Sequence, residues 1–177
     1  MFSTKYKQII KGFSLIEVIV TLSLITILTL VVLANYRGGE KRYILQSANQ
    51  QLISDIRKAQ NIALSPGPQF TAGVGIHFDL NKSNSYFFFL DKNKNQKYDG
   101  PEERWGEETS FPPKIQMKTI LPLTDGRTMD IFFLPPDPTT YINGFFDINN
   151  STTISLEMKD IDIPTRTITI KSNGLIE

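Results

Sequence analysis

The pattern of apolar and polar residues divides the chain into three stretches. From Phe13 to Ala34 nearly every residue is apolar on all sides, with no Gly or Pro and one charge, Glu17. Twenty-two such residues predict a continuous helix of roughly 33 Å, close to the thickness of a bilayer's hydrocarbon core. The polar run NYRGGEKRY follows, and its Gly38-Gly39 pair predicts a joint or bend, because each Gly weakens a helix by about 1 kcal/mol relative to Ala. Beyond it, Leu45, Ala48, Leu52, Ile56, Ala59 and Ala63 recur at steps of three and four. That spacing makes a one-sided stripe suited to packing on a sheet. Pro66-Gly67-Pro68 ends the pattern.

The remainder turns to short β-rich runs bounded by turn residues. FTAGVGIHFDL, SYFFFLD, PKIQMKTI, MDIFFLP, TYINGFFDI, TTISLEMKD and RTITIKS are the predicted strands. In the last of these Ile168 and Ile170 alternate with Thr167, Thr169 and Lys171, which assigns the two isoleucines to the core. The prolines of PPKIQ and LPPDPTT mark connections or sheet edges, and Asp160 to Pro164 reads as a further connection. The dense charge between Asp91 and Glu108 reads as an exposed loop region. The predicted class is α+β: one long helix whose second half lies on antiparallel sheet. The expected segments are a basic leader over 1–12, a membrane or core helix over 13–34, its amphipathic continuation over 35–65, and a β-rich domain over 66–177.

Charge changes the picture only at the N-terminus. The chain has 19 basic and 18 acidic residues, so nucleic acid is not expected as a partner. Lys5, Lys7 and Lys11 all precede the apolar run, which favours an N-terminus held in the cytoplasm. A cleaved secretory signal is the alternative, with Val32-Leu33-Ala34 as its small-residue site. Against it, the apolar stretch exceeds the ~7–15 residues of a signal's core and contains a carboxylate. A plain membrane anchor is the other simple reading, but it leaves Glu17 without a task, and a mid-membrane acid costs about 2.5–3.5 kcal/mol on insertion scales.

Enzymatic chemistry is not predicted. There is no Cys, no G-x-S-x-G and no phosphate-binding loop, and Gly73-Val74-Gly75 is too short to cradle a phosphate. His77, the single histidine, sits between apolar neighbours and reads as a strand histidine with a hydrogen bond. Trp105, the single tryptophan, reads as an anchor at the edge of the core.

One loop carries metal-type spacing. In DKNKNQKYDGPE, Asp91, Asn93, Asn95, Asp99 and Glu102 fall at positions one, three, five, nine and twelve, and the Lys97 carbonyl at seven. Those are the oxygen positions of a calcium loop. Gln96 replaces the usual Gly at position six, a strand precedes the loop, and three lysines dilute its charge. A solvated turn rich in Asp and Asn explains the same residues without a metal. Both readings stand, and a bound calcium here would be structural.

The segment Gly12-Phe13-Ser14-Leu15-Ile16-Glu17 resembles the processing site of type IV prepilins and of type II secretion pseudopilins. A short basic leader ends in Gly, Phe follows, and an acid lies five residues into the mature chain, inside a long apolar run. The resemblance implies cleavage after Gly12 by a prepilin peptidase, N-methylation of Phe13, and a pilin-like fold. It implies an inner-membrane, single-pass chain with its C-terminal domain outside the cytoplasm, which an assembly platform inserts into a pilus or pseudopilus. The partners would be other subunits, met through the N-terminal helix. There Glu17 would pair with a neighbouring Phe13 ammonium and fix the stagger between subunits. Major pseudopilins as a family also carry calcium in such loops. The helix end IRKAQNIALSPG and the closing strand-turn resemble those of minor, H-type pseudopilins. Ala34 stands where many major pilins have Pro, and their C-terminal cysteine pair is absent. Glu17 is present where a tip subunit typically lacks the acid. A minor pilin or H-type pseudopilin is therefore favoured. A DNA-uptake minor pilin would need a basic patch, and Lys114, Lys159, Arg166 and Lys171 are scattered along the sequence.

Overall fold

A computed structural model of the 177-residue chain describes residues 12–64, 67, 73–124, 126–135, 139–147, 151–159 and 164–177, with no side-chain description for 34–38. The leader before Gly12 lies outside these residues. So do Pro66, Pro68, most of the proline-rich stretch after Leu134, and the connection at 160–163. Contacts divide the chain into two units, Met1–Glu40 and Lys41–Glu177.

In the first unit, helix α1 (Leu15–Leu64) begins and runs on through Gly38 and Gly39 without a break in its helical assignment. The joint expected at the Gly pair therefore does not interrupt the helix. The unit boundary does fall just after it, at Glu40. Leu15–Leu33 is long and apolar enough to cross a membrane, and none of it is buried within the chain. Its hydroxyls turn inward to the backbone. Thr21 donates to the Val18 carbonyl, Ser23 to Ile19, Thr26 to Leu22 and Thr29 to Ile25, at 2.7–3.0 Å. A hydroxyl answered by its own helix needs no water, so these residues are compatible with lipid.

In the second unit the rest of α1 joins eight strands. These are β1 (Val74–Asp79), β2 (Ser85–Leu90), β3 (Arg104–Ser110), β4 (Ile115–Leu121), β5 (Thr128–Leu134), β6 (Thr139–Ile142), β7 (Ser151–Met158) and β8 (Arg166–Lys171). They form two antiparallel sheets, one in the order β3-β2-β1-β5-β6 and one in the order β4-β7-β8. The architecture is α+β, as expected.

All six stripe residues of α1, from Leu45 to Ala63, are buried at 2% exposure or less. They share one core with Val74, Ile76, Phe78, Met129, Ile131 and Phe133 of the larger sheet and Ile154, Leu156, Ile168 and Ile170 of the smaller. Two polar ties hold the helix to its surroundings. The Tyr86 hydroxyl donates to Asp55 at 2.6 Å, and Gln60 Nε2 donates to the Gly174 carbonyl at 3.0 Å. Burial first, and then the Asp55 bond and charge, raise the Tyr86 pKa, so this donor keeps its proton throughout ordinary pH.

The larger sheet is covered on its second face as well. Phe89 and Phe132 are fully buried there, their ring centroids 6.1 Å apart. A Cβ at Gly75 would fall inside the Phe89 ring, and one at Gly73 would strike Phe132. These two glycines therefore give the aromatic rings room to lie flat on strand β1.

The region 91–108 departs from the expected exposed loop. Arg104–Ser110 is strand β3, at the edge of the larger sheet, and Asp91 and Glu103 are buried. An edge strand with few buried residues needs no apolar alternation, and its charges discourage further pairing. Its clearest apolar contact is Trp105 against Phe88, with ring centroids 5.9 Å apart, which makes Trp105 a core-edge anchor.

Candidate functional site

Two segments carry the candidate chemistry. The first is the start of α1. Gly12, Phe13 and Ser14 are non-helical and exposed, Phe13 at 82%. Nothing lies within 4 Å of where a Gly12 side chain would begin. The Glu17 N–H donates to Ser14 Oγ at 3.2 Å, and the Val18 N–H donates to the Ser14 carbonyl at 3.3 Å. Ser14 is thus the N-cap, and Glu17 lies in the first turn. A carboxylate there is favoured by the positive end of the helix dipole. The signal for the cap was present in the sequence, since Ser14-Leu15-Ile16-Glu17 has the S-x-x-E form of a capping box. The structure brings Gly12, Phe13 and Glu17 to one exposed helix start, with Glu17 one helical turn past the Gly12–Phe13 bond.

The second segment is the loop after β2. Asp91 is 1% exposed, and its carboxylate accepts three backbone N–H groups. Lys94 and Asn95 donate to Oδ1 at 2.6 and 3.2 Å, and Gln96 donates to Oδ2 at 2.8 Å. Curling the chain around Asp91 puts Lys94 and Gln96 at positive φ, 64° and 62°. Asn93 and Asn95 each direct their Nδ2 to Asp99 Oδ2, at 2.5 and 2.6 Å, and the Lys97 N–H donates to Asn95 Oδ1 at 2.9 Å. The Lys97 side chain lies over the Phe145 ring, 4.9 Å from its centroid.

Asn93 and Asn95 thus meet at Asp99 while Asp91 holds the backbone of the same loop, and Glu102 lines a surface cleft with Asn93 and Asp99. Glu102 is exposed, and the neighbouring Glu103 turns inward instead. Glu103 accepts the Lys92 N–H at 3.1 Å and the Asp99 N–H at 2.9 Å. The cause is local. A 3-10 turn over Pro101–Glu103 sends adjacent side chains in different directions, so Glu103 is the acid that takes the loop's backbone N–H groups while Glu102 stays at the surface. Spacing alone could not choose between neighbouring glutamates.

As a metal site, the loop offers oxygens of the kind calcium takes, from Asp91, Asn93, Asn95 and Asp99. Both Asn amides present nitrogen to Asp99 in this arrangement. A half-turn of each amide would present oxygen instead, the rearrangement a cation would require. No cluster of three or more His, Cys, Asp or Glu suited to a metal occurs among the described residues.

The loop also covers the second face of the larger sheet. Tyr98 packs against His77, Phe87 and Phe89, with centroids 4.7–5.8 Å apart. Its N–H donates to Asp130 Oδ2 at 3.2 Å, and Asp130 Oδ1 lies 2.7 Å from His77 Nδ1. His77 is thus a strand histidine in a hydrogen bond, as its sequence context suggests. Beside it, a cleft of about 310 Å³ is lined by His77, Phe87, Tyr98, Arg104 and Glu108 among others. Arg104 lies over Phe87 and pairs with Glu108 at 3.1 Å. Glu108 also accepts from Ser85, and that bond, followed by Arg104, lowers its pKa. Arg104 and Glu108 thus answer each other's charge within the protein.

Comparison with protein-family models, with curated proteins and with solved structures gives no match to this chain.

Proposed function

We propose that this chain is a pilin-type filament subunit, most similar to a minor pilin or an H-type pseudopilin. In this reading it is cut after Gly12 by a prepilin peptidase and methylated on Phe13. It is held in the inner membrane by α1 and then assembled by a platform into a pilus or pseudopilus. The observation that carries the reading is the Gly12-to-Glu17 motif at an exposed helix start, opening the 19-residue, mostly apolar stretch Leu15–Leu33, which the described chain leaves unburied. Those residues need lipid at one stage or neighbouring helices at another, and a filament subunit uses both. The stripe from Leu45 to Ala63, packed on antiparallel sheet, adds support as a pilin-like layout.

Glu17 distinguishes this reading from a plain anchor. In lipid, a residue so near the helix start reaches the interface. Among packed helices it needs a cation, and the Phe13 ammonium of a neighbouring subunit supplies one. In cells that assemble the filament, a Glu17→Leu chain is expected to insert and be cut normally, and to fall at least tenfold in the sheared filament fraction. Recovery at the wild-type level would favour a membrane-anchored binding domain outside any filament.

Calcium in the Asp91 loop belongs to the same proposal, with a structural role. Asp91, Asn93, Asn95, the Lys97 carbonyl, Asp99 and Glu102 would hold it, and Glu102 lines a cleft with Asn93 and Asp99. Calcium should raise the Tm of the full chain in detergent over that in chelator, and Asn93→Ala should remove the difference. A Tm indifferent to calcium would leave the loop as a turn built on Asp91.

A further inference from the structure

We infer that Ser14 is a positioning residue for processing: its side chain stops α1 at Leu15 and so keeps the Gly12–Phe13 peptide bond extended for a peptidase. The inference rests on the filament-subunit reading, since it concerns the bond that reading says is cut. Two independent observations carry it. The first is the pair of bonds made by Ser14, whose hydroxyl accepts the Glu17 N–H while its carbonyl accepts the Val18 N–H. Together they fix where helical bonding begins. The second is the state of the two residues before it. Gly12 and Phe13 are outside the helix and exposed, and among the described residues nothing lies within 4 Å of where a Gly12 side chain would begin.

The physical argument concerns competition for the backbone. A peptidase needs its scissile bond extended, so that the carbonyl can be reached. A helix that grew one turn toward the N-terminus would enclose the Gly12–Phe13 bond. At the scissile pair itself Gly12, a poor helix former, opposes such growth, but Phe13 has ordinary helix propensity and does not mark where the helix must start. Ser at position 14 opposes it specifically. An N-cap residue takes non-helical backbone angles while its side chain satisfies an N–H of the first turn, and Ala provides no such bond. Replacing Ser14 by Ala therefore shifts population from the extended junction to a longer helix. The cut slows by the fraction of extended chain that is lost. A cap of ordinary strength lowers the extended-to-helical ratio roughly fivefold, which is the most by which the cut can slow. Glu17 takes part only through its backbone N–H, so this role is separable from the pairing proposed for its carboxylate.

The test is a pulse-chase of the full chain in membranes containing prepilin peptidase, with cleavage followed by mass. Wild type is compared with Ser14→Ala, Ser14→Asn and Ser14→Asp, and membrane insertion of each is measured alongside. The expected result is cleavage of Ser14→Ala slowed more than about twofold and by up to about fivefold. The Asn and Asp chains, which retain a capping oxygen, should be cut within about twofold of the wild-type rate, and all four should insert equally. If wild type is cut and Ser14→Ala keeps pace with it, the positioning role is overturned while the filament reading stands. Equal slowing of all three variants also overturns it, since the peptidase would then read the serine hydroxyl directly. A wild-type chain that is never cut removes the filament reading and, with it, this inference.

Discussion

Asp91 shows how one buried carboxylate can organise a segment that looks, by composition, like a solvated loop. Its two oxygens hold three backbone N–H groups, and those bonds hold the curl that brings Asn93, Asn95 and Asp99 together. Removing the carboxylate leaves those N–H groups without their acceptor, at about 1–3 kcal/mol for each group that water cannot reach. Asp91→Ala is therefore expected to lower unfolding stability by about 3 kcal/mol. Glu102→Ala, at an exposed position, should stay within about 0.5 kcal/mol of wild type. Urea unfolding of the two variants decides the matter, and an equal loss from Glu102→Ala would mean that Glu102 and not Glu103 closes the loop. The spacing from Asp91 to Asp99 was legible because ligands and Asx-turn residues share it. The choice of Glu103 was not, because it depends on the direction of a single 3-10 turn. Likewise, nothing local in the sequence shows that Gly75 makes room for Phe89, its cross-strand partner.

At the level of elements, legibility followed the strength of the periodic signal. The α1 stripe from Leu45 to Ala63 and the alternation of Ile168 with Ile170 were plain, because each buries one face and exposes the other. Strand β3 was hidden for the opposite reason, since RWGEETS lies at a sheet edge and buries too little to impose a pattern. The Gly38-Gly39 pair suggested a joint or bend, and α1 stays helical through it. A Gly costs about 1 kcal/mol in a helix, too little to end one with many turns on each side. The stripe makes a direct prediction. Leu52 is fully buried, so Leu52→Ala should destabilise the chain by about 3 kcal/mol, whereas Gln51→Ala on the exposed side should leave stability nearly unchanged. Matching effects at the two positions would mean that the stripe does not carry the helix onto the sheets.

For the whole molecule, the two units separate two kinds of solvent. Lys41–Glu177 buries its own core, with apolar residues from the helix and both sheets. Met1–Glu40 holds Leu15–Leu33, whose apolar surface finds no partner in this chain. At about 25 cal/mol per Å² of apolar surface, leaving such a segment in water is strongly unfavourable, which is the property shared by a membrane anchor, a signal sequence and a helix packed among others. On the proposed function, this segment is a processed filament helix and not merely an anchor. The most direct measurement is the intact mass of the protein purified from membranes, with and without a co-expressed prepilin peptidase. The account predicts the loss of residues 1–12 and the gain of one methyl group, only when the peptidase is present. A chain that stays uncut with the peptidase present, or is cut after Ala34, would contradict it.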